Sequence, residues 1–251
     1  MRFVIFGAGA IGGVVGARLH QSGHEVALIA RGAHLEAIRR SGLTLQTPVE
    51  RTVLPITAVQ DPSELGLGSD DVVLLATKSQ DTAGALSALK RAGAEETPIA
   101  CLQNGVDNER AALRLFGEVY GAVVMAPTAH LEPGIVLSYG TRETGIIDIG
   151  RYPSGTDERC QAIADALLES RISSRVQSEI MRAKYAKLLV NLGNVVEALS
   201  GRHSDEAREL VAQAGAEGRA VLTAAGIPFE ADDVSDVHGR WERMGVDEIA
   251  G

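Results

Sequence analysis

Arg2-Phe3-Val4-Ile5-Phe6-Gly7-Ala8-Gly9-Ala10-Ile11-Gly12 begins the chain as an apolar run that passes at once into three spaced glycines. An apolar helical pattern continues to Leu19, and a second apolar run, Val26-Ala27-Leu28-Ile29, ends at Ala30-Arg31. Strand, glycine turn, helix and strand form the unit that binds a dinucleotide. Gly7 permits the tight turn, Gly9 lets backbone approach a pyrophosphate, and Gly12 lets the helix pack close to the sheet. The free N–H groups and positive dipole end at the start of the helix favour the phosphates. Gly7, Ala8, Gly9, Ala10, Ile11 and Gly12 are therefore expected to hold the cofactor. A glycine turn alone is weak evidence, and the strands on either side of this one make it specific.

The end of the second strand speaks to which dinucleotide. NAD binders usually place Asp or Glu there for the ribose 2′-OH, and NADP binders place Arg nearby for the 2′-phosphate. Ala30 and Arg31 stand there without a carboxylate. A guanidinium can grip a phosphate with two parallel hydrogen bonds, so the expectation is NADP(H). A solvated Arg31 opening the next helix is the plainer alternative.

The chain has 251 residues and a formal net charge of −9. That balance argues against nucleic acid or a membrane surface as the main partner. Cys101 and Cys160 are isolated, with no metal-ligand spacing and no disulfide framework. No metal is expected, and a reducing cytoplasm is the simplest compartment. No segment is long and apolar enough to span a bilayer.

Further along, a helix is expected over 33–40 and a hairpin over 43–46 and 51–56, turning at Pro48. Asp71 to Ala76 reads as a buried strand, and a helix follows Thr77-Lys78-Ser79-Gln80-Asp81. Another strand over 98–102 leads to Gln103-Asn104-Gly105, and a helix is expected over 106–115. Strand patterns at 119–125, 134–139 and 145–149 precede a helix over 157–169 and a last strand over 172–176. The alternation predicts an α/β, doubly wound Rossmann-type sheet. Everything after Glu179 is helical in period. The expected domains are residues 1–172, which bind NADP, and residues 173–251, an all-helical substrate and dimerisation domain. The residues leave monomer and homodimer open.

Ligands in such sheets bind outside the carboxyl ends of the strands. Thr77-Lys78 and Gln103-Asn104-Gly105 lie at such ends. Asn104 carries a donor and an acceptor, although Asn-Gly is also an ordinary turn pair. Lys184, Lys187, Asn191 and Asn194 recur at steps of three and four on a helical pattern, so they share one face. Two asparagines, poor helix formers, suit a lined cleft better than a solvated face.

Together these stretches resemble the ketopantoate reductase (2-dehydropantoate 2-reductase) family. The resemblance is carried by Gly7 to Gly12, Thr77-Lys78, Gln103-Asn104-Gly105 and Lys187-Leu188-Leu189-Val190-Asn191. It implies a Rossmann domain followed by a helical one, with the active site between them. It implies NADPH-dependent reduction of a 2-oxo acid, 2-dehydropantoate, to a 2-hydroxy acid in pantothenate biosynthesis. By that analogy Lys187 is the general acid, Asn191 and Asn194 hold substrate, Lys78 and Asn104 order cofactor and substrate, and Arg31 meets the 2′-phosphate.

Two departures temper the likeness. Family members carry a second asparagine four residues after the one matching Asn191, and here that position is Val195. Asn194 lies one residue earlier, a rotation of about 100° on a helix. The family's later Ser-Ser-Met-type segment and glutamate-bearing helix have no counterpart up to Gly251. The expectation is a piece of a longer protein with its helical domain cut short, and a divergent member lacking part of the site is the other reading. A reductase of another oxo acid or imine and a non-catalytic NADP-binding sensor stand as alternatives.

Overall fold

The computed structural model describes residues 1–200, 205–229 and Arg240. Strand β1 (Arg2–Phe6) enters the interior directly, with Phe3, Val4 and Ile5 fully buried. An unbroken apolar run is what a parallel strand covered on both faces needs. Helix α1 (Ala10–Gln21) follows, then β2 (Val26–Ile29), α2 (Gly32–Ser41), the antiparallel hairpin β3 (Leu43–Gln46) and β4 (Arg51–Leu54), and β5 (Thr57–Val59). Next come β6 (Asp71–Leu75), α3 (Thr82–Arg91), β7 (Ile99–Cys101), α4 (Asn108–Leu113) and β8 (Val119–Met125). The short β9 (Thr128–Ala129) and β10 (Ile135–Ser138) lead to β11 (Gly145–Arg151), α5 (Glu158–Glu169) and β12 (Ile172–Ser173). Helices α6 (Ile180–Asn191), α7 (Gly193–Ser200) and α8 (Asp205–Ala224) complete the described elements.

Eight strands form one sheet in the order β12-β11-β8-β7-β6-β1-β2-β5. Read from β5 to β8, this is the doubly wound order that reverses between β1 and β6. Both β2 and β6 pair parallel with β1, Phe3 lying opposite Val26 and Val72. Antiparallel pairing joins only β8 to β11 within this sheet. Apolar clusters fill both faces, one around Ile5, Leu28 and Leu74 and the other around Val4, Val73 and Leu75.

Strand alternation alone predicts a single sheet. The structure instead sets β3, β4, β9 and β10 apart in a second sheet, ordered β4-β3-β10-β9. This sheet covers α1. A Cβ on Gly13 would lie 2.6 Å from Val136 Cγ1, so the helix and β10 touch where only glycine fits.

The last strand, β12, crosses residue 172, where the domain division was expected, and Val176 bridges to Ile149 beyond it. Asp148 on β11 is wholly buried and is held by Arg240, whose Nη1 and Nη2 donate at 2.7 and 2.9 Å. Gln177 Nε2 adds a bond at 2.9 Å and Arg175 N one at 3.0 Å. The helical pattern that carries Lys184, Lys187, Asn191 and Asn194 is interrupted, α6 ending at Asn191 and α7 starting at Gly193. A Cβ on Gly193 would come 3.2 Å from Val211 Cγ1 on α8, so close helix packing coincides with the break. Within the stretch expected to be helical, α8 covers Asp205–Ala224, whereas residues 241–251 lie outside the described residues.

Candidate active site

The reversal of strand order between β1 and β6 opens a crevice at the carboxyl ends of the strands. Gly7 turns the chain there with φ of 101°, and a Cβ on it would lie 3.0 Å from Thr77 N beyond β6. On Gly12 a Cβ would meet Gly7 O at 2.2 Å and Ile5 Cγ2 at 2.8 Å, so α1 seats directly on the sheet. For Gly9 the same construction meets nothing within 4 Å, leaving room above the turn. No side chain caps α1 and no acidic residue lies in its first turn. Its N-terminal N–H groups and positive dipole end suit an anion. These features fit a dinucleotide pyrophosphate.

A cleft of about 1190 Å³ extends from this turn. Gly7, Ala8, Gly9, Ala10 and Ile11 line it, and Gly12 lies behind them in the helix–sheet contact. Arg31, Lys78 and Asn104 also line it, and Lys187, Asn191 and Asn194 form the opposite wall. Asn194 reaches the cleft even though it stands on α7 rather than α6.

At one end of the cleft Arg31 is exposed, and its Nη2 lies 3.4 Å from Asp81 Oδ2. Asp81 is the N-cap of α3 but makes no capping bond with its side chain, which turns to Arg31 instead. His34 and His130 also line the cleft, their rings 4.1 Å apart. Gly134 N donates to His34 Nδ1 at 2.8 Å, and His34 Nε2 lies 2.7 Å from Ala8 O. Because a backbone N–H can only donate, His34 is neutral with its proton on Nε2. Burial lowers its pKa, and His130 lowers it further against the raising effect of the Ala8 bond.

The corners after β6 and β7 are bonded into one network. Gln103 Nε2 donates to Thr82 Oγ1 at 3.0 Å, and Thr82 Oγ1 donates to Asn108 Oδ1 at 2.8 Å. Asn108 Nδ2 closes the circuit on Asn104 O at 3.1 Å. The Asn104 side chain is thereby aimed at the helix opposite, where Lys187 Nζ donates to its Oδ1 at 2.7 Å and to the Val124 carbonyl. Burial lowers the Lys187 pKa to about 8, and the like charge of Lys184 acts in the same direction.

Lys184 shares the face of Lys187 and Asn191 but does not line the cleft. It is buried, its Nζ lying 2.6 Å from Glu109 Oε1 and donating to Gln103 O and Ala122 O at 2.9 and 3.1 Å. Spacing puts Lys184 and Lys187 on one side of α6, and both bond to β8, but the first is paired with Glu109 and the second with Asn104. The sequence alone does not single out Asp81, His34, His130 or Glu109. Asp81 had a signal, an acid in the corner after β6, whereas the other three are brought in by distant pairing. Among the described residues no group of three or more His, Cys, Asp or Glu is arranged to hold a metal. Both cysteines are buried and free, and no helix there is long and apolar enough to cross a membrane.

A family model described as ketopantoate reductase PanE/ApbA matches residues 3–154. The 2-dehydropantoate 2-reductase of Pyrococcus horikoshii is 32% identical over 237 residues, covering 92% of this chain and 76% of that protein. A 2-dehydropantoate 2-reductase structure from Geobacter metallireducens superposes with a TM-score of 0.83 at 28% identity, over 100% of this chain and 85% of that one. A PanE/ApbA family ketopantoate reductase from Ralstonia eutropha gives 0.81 at 29% identity, over 100% and 83%.

Proposed function

The chain belongs to the ketopantoate reductase family, and from that premise we propose that it reduces 2-dehydropantoate to pantoate with NADPH, a step of pantothenate biosynthesis. The observation that carries the reading is Lys187. It is the amine that faces the glycine turn across the cleft, bonded to Asn104 and with its pKa drawn toward neutrality. When bound, the nicotinamide supplies the hydride. The Gly7–Ile11 turn and the start of α1 would bind its pyrophosphate, and Arg31 its 2′-phosphate. Lys78 stands on the same wall to order cofactor and substrate. Asn191 and Asn194 would orient the oxo acid by hydrogen bonds. Lys187 would hold a proton at Nζ beside the carbonyl oxygen and release it as negative charge develops there. An amine with a pKa of about 8 is mostly protonated at neutral pH yet gives up its proton far more readily than an ordinary lysine. The proposed division at residues 172 and 173 puts the dinucleotide on one side of this cleft and α6 and α7 on the other.

The test is oxidation of NADPH, followed by absorbance, with 2-dehydropantoate and a panel of other 2-oxo acids. Turnover that Lys187→Ala abolishes while NADPH binding persists supports the reading. No turnover with any member of the panel overturns it. Val195, exposed where the family carries its second asparagine, favours a second reading, a different oxo acid, which the same panel would reveal as the preferred substrate.

A further inference from the structure

Two lysines three residues apart on α6 grip the same strand. Lys184 Nζ donates to Ala122 O on β8 and to Gln103 O, and Lys187 Nζ donates to Val124 O on β8 and to Asn104 Oδ1. Register between β7 and β8 ends at Cys101 and Gly121. The carbonyls of Ala122 and Val124 thus lie past the end of β7, and the two ammonium groups bond to β8 in this uncovered stretch.

The two sites differ in charge. Lys184 is 4% exposed and Glu109, its partner at 2.6 Å, is 0% exposed. Lys187 bonds only to neutral acceptors among the described residues. We propose that the buried Lys184–Glu109 pair is a positioning device for Lys187, anchoring α6 against β8 and keeping a fixed positive charge beside the Lys187 ammonium. The inference rests on the reading of Lys187 as proton donor.

The surroundings of Lys187 support it. From its own helix the charged neighbour is Lys184. From α4 it is Glu109, which meets Lys184 directly. From β7 Cys101, an uncharged buried thiol, faces the Lys184–Glu109 pair, its pKa pushed up by burial and then by Glu109. Across the cleft Arg31, His34, Lys78, Asp81 and His130 share the lining, and among the described residues none is bonded to Lys187. A like charge disfavours the ionised amine, and Lys184 is the charge that acts on Lys187. Stability alone does not call for the pair, because apolar groups of similar volume often replace a buried ion pair without loss.

The experiment is the pH profile of kcat/KM for 2-dehydropantoate at saturating NADPH. Reduction needs protonated Lys187, so the wild-type rate falls as pH rises through the Lys187 pKa, about 8. Lys184→Met together with Glu109→Gln removes both buried charges and should move this alkaline limb up by roughly half a pH unit or more. Lys184→Met alone should move it in the same direction, since a remaining carboxylate also favours the charged amine. Lys184→Arg keeps the charge and should leave the limb where the wild type has it. Circular dichroism melting and NADPH affinity, read in parallel, separate a shifted limb from a damaged fold. A limb unmoved in both Met variants overturns the inference while leaving the proposed function intact. No turnover by the wild-type protein overturns both.

Discussion

His34 Nδ1 accepts from the Gly134 N–H at 2.8 Å, joining residues 100 apart in sequence and tying the second sheet to the helix after β2. Its other nitrogen lies 2.7 Å from Ala8 O in the glycine turn. Protonation at Nδ1 would set two N–H groups against each other. The folded state therefore favours the neutral ring, and burial adds to this. A pKa lower folded than unfolded contributes stability that is complete above about pH 6.5 and is lost as pH falls through the folded value. The urea midpoint should fall below about pH 6.5 more steeply for the wild type than for His34→Gln. Parallel curves for the two proteins would contradict this.

Arg31 and Asp81 face each other at 3.4 Å at one end of the cleft. A 2′-phosphate would bond the first and be repelled by the second. Arg31→Ala should weaken NADPH by about 10- to 100-fold, from the ~1.5–3 kcal/mol of a charge-assisted bond, and NADH by much less. Asp81→Asn should tighten NADPH. Fluorescence titration with both dinucleotides checks this, and equal losses for the two would refute the assignment of Arg31.

Gly9 and Gly12 sit in one motif but should fail differently. A methyl group at Gly12 meets Gly7 O at 2.2 Å, whereas one at Gly9 meets nothing within 4 Å. Gly12→Ala should lose about 1–3 kcal/mol by overpacking, roughly 2–12 °C in Tm for a chain of this size. Gly9→Ala should melt with the wild type and yet bind NADPH poorly, because the methyl enters the space the pyrophosphate needs. Thermal melts with and without NADPH separate the two.

Asn191 lies four residues after Lys187 on the cleft wall. Asn191→Ala should raise KM for the oxo acid by about fivefold or more, the loss of one neutral hydrogen bond of ~1 kcal/mol. NADPH affinity should hold. A fall in NADPH affinity instead of a rise in KM would assign Asn191 to the cofactor.

The sheet around β1 is legible in the sequence because its signals are local. An apolar run, three glycines and a helical period lie within a few residues of one another, and each has one physical reading. The second sheet is not legible, because β3 pairs with β10 across about 90 residues and nothing in either strand announces the other. Lys187 could be found from helical spacing and family likeness. The different fate of Lys184 could not, since it depends on Glu109, 75 residues earlier in the chain and brought in by α4. The break between α6 and α7 likewise coincides with the contact of Gly193 and Val211, a tertiary feature that spacing within one helix cannot register.

The clasp of Arg240 on Asp148 bears on how the chain matures. The carboxylate sits inside the sheet at residue 148, and its counter-ion follows 92 residues later. While the ribosome is still making the intervening segment, Asp148 lacks its guanidinium partner, and burying its carboxylate inside the sheet without that partner is costly. The native electrostatics of the dinucleotide-binding sheet are thus reached only after the helical segment has been synthesised. The two parts are successive in sequence but mature together.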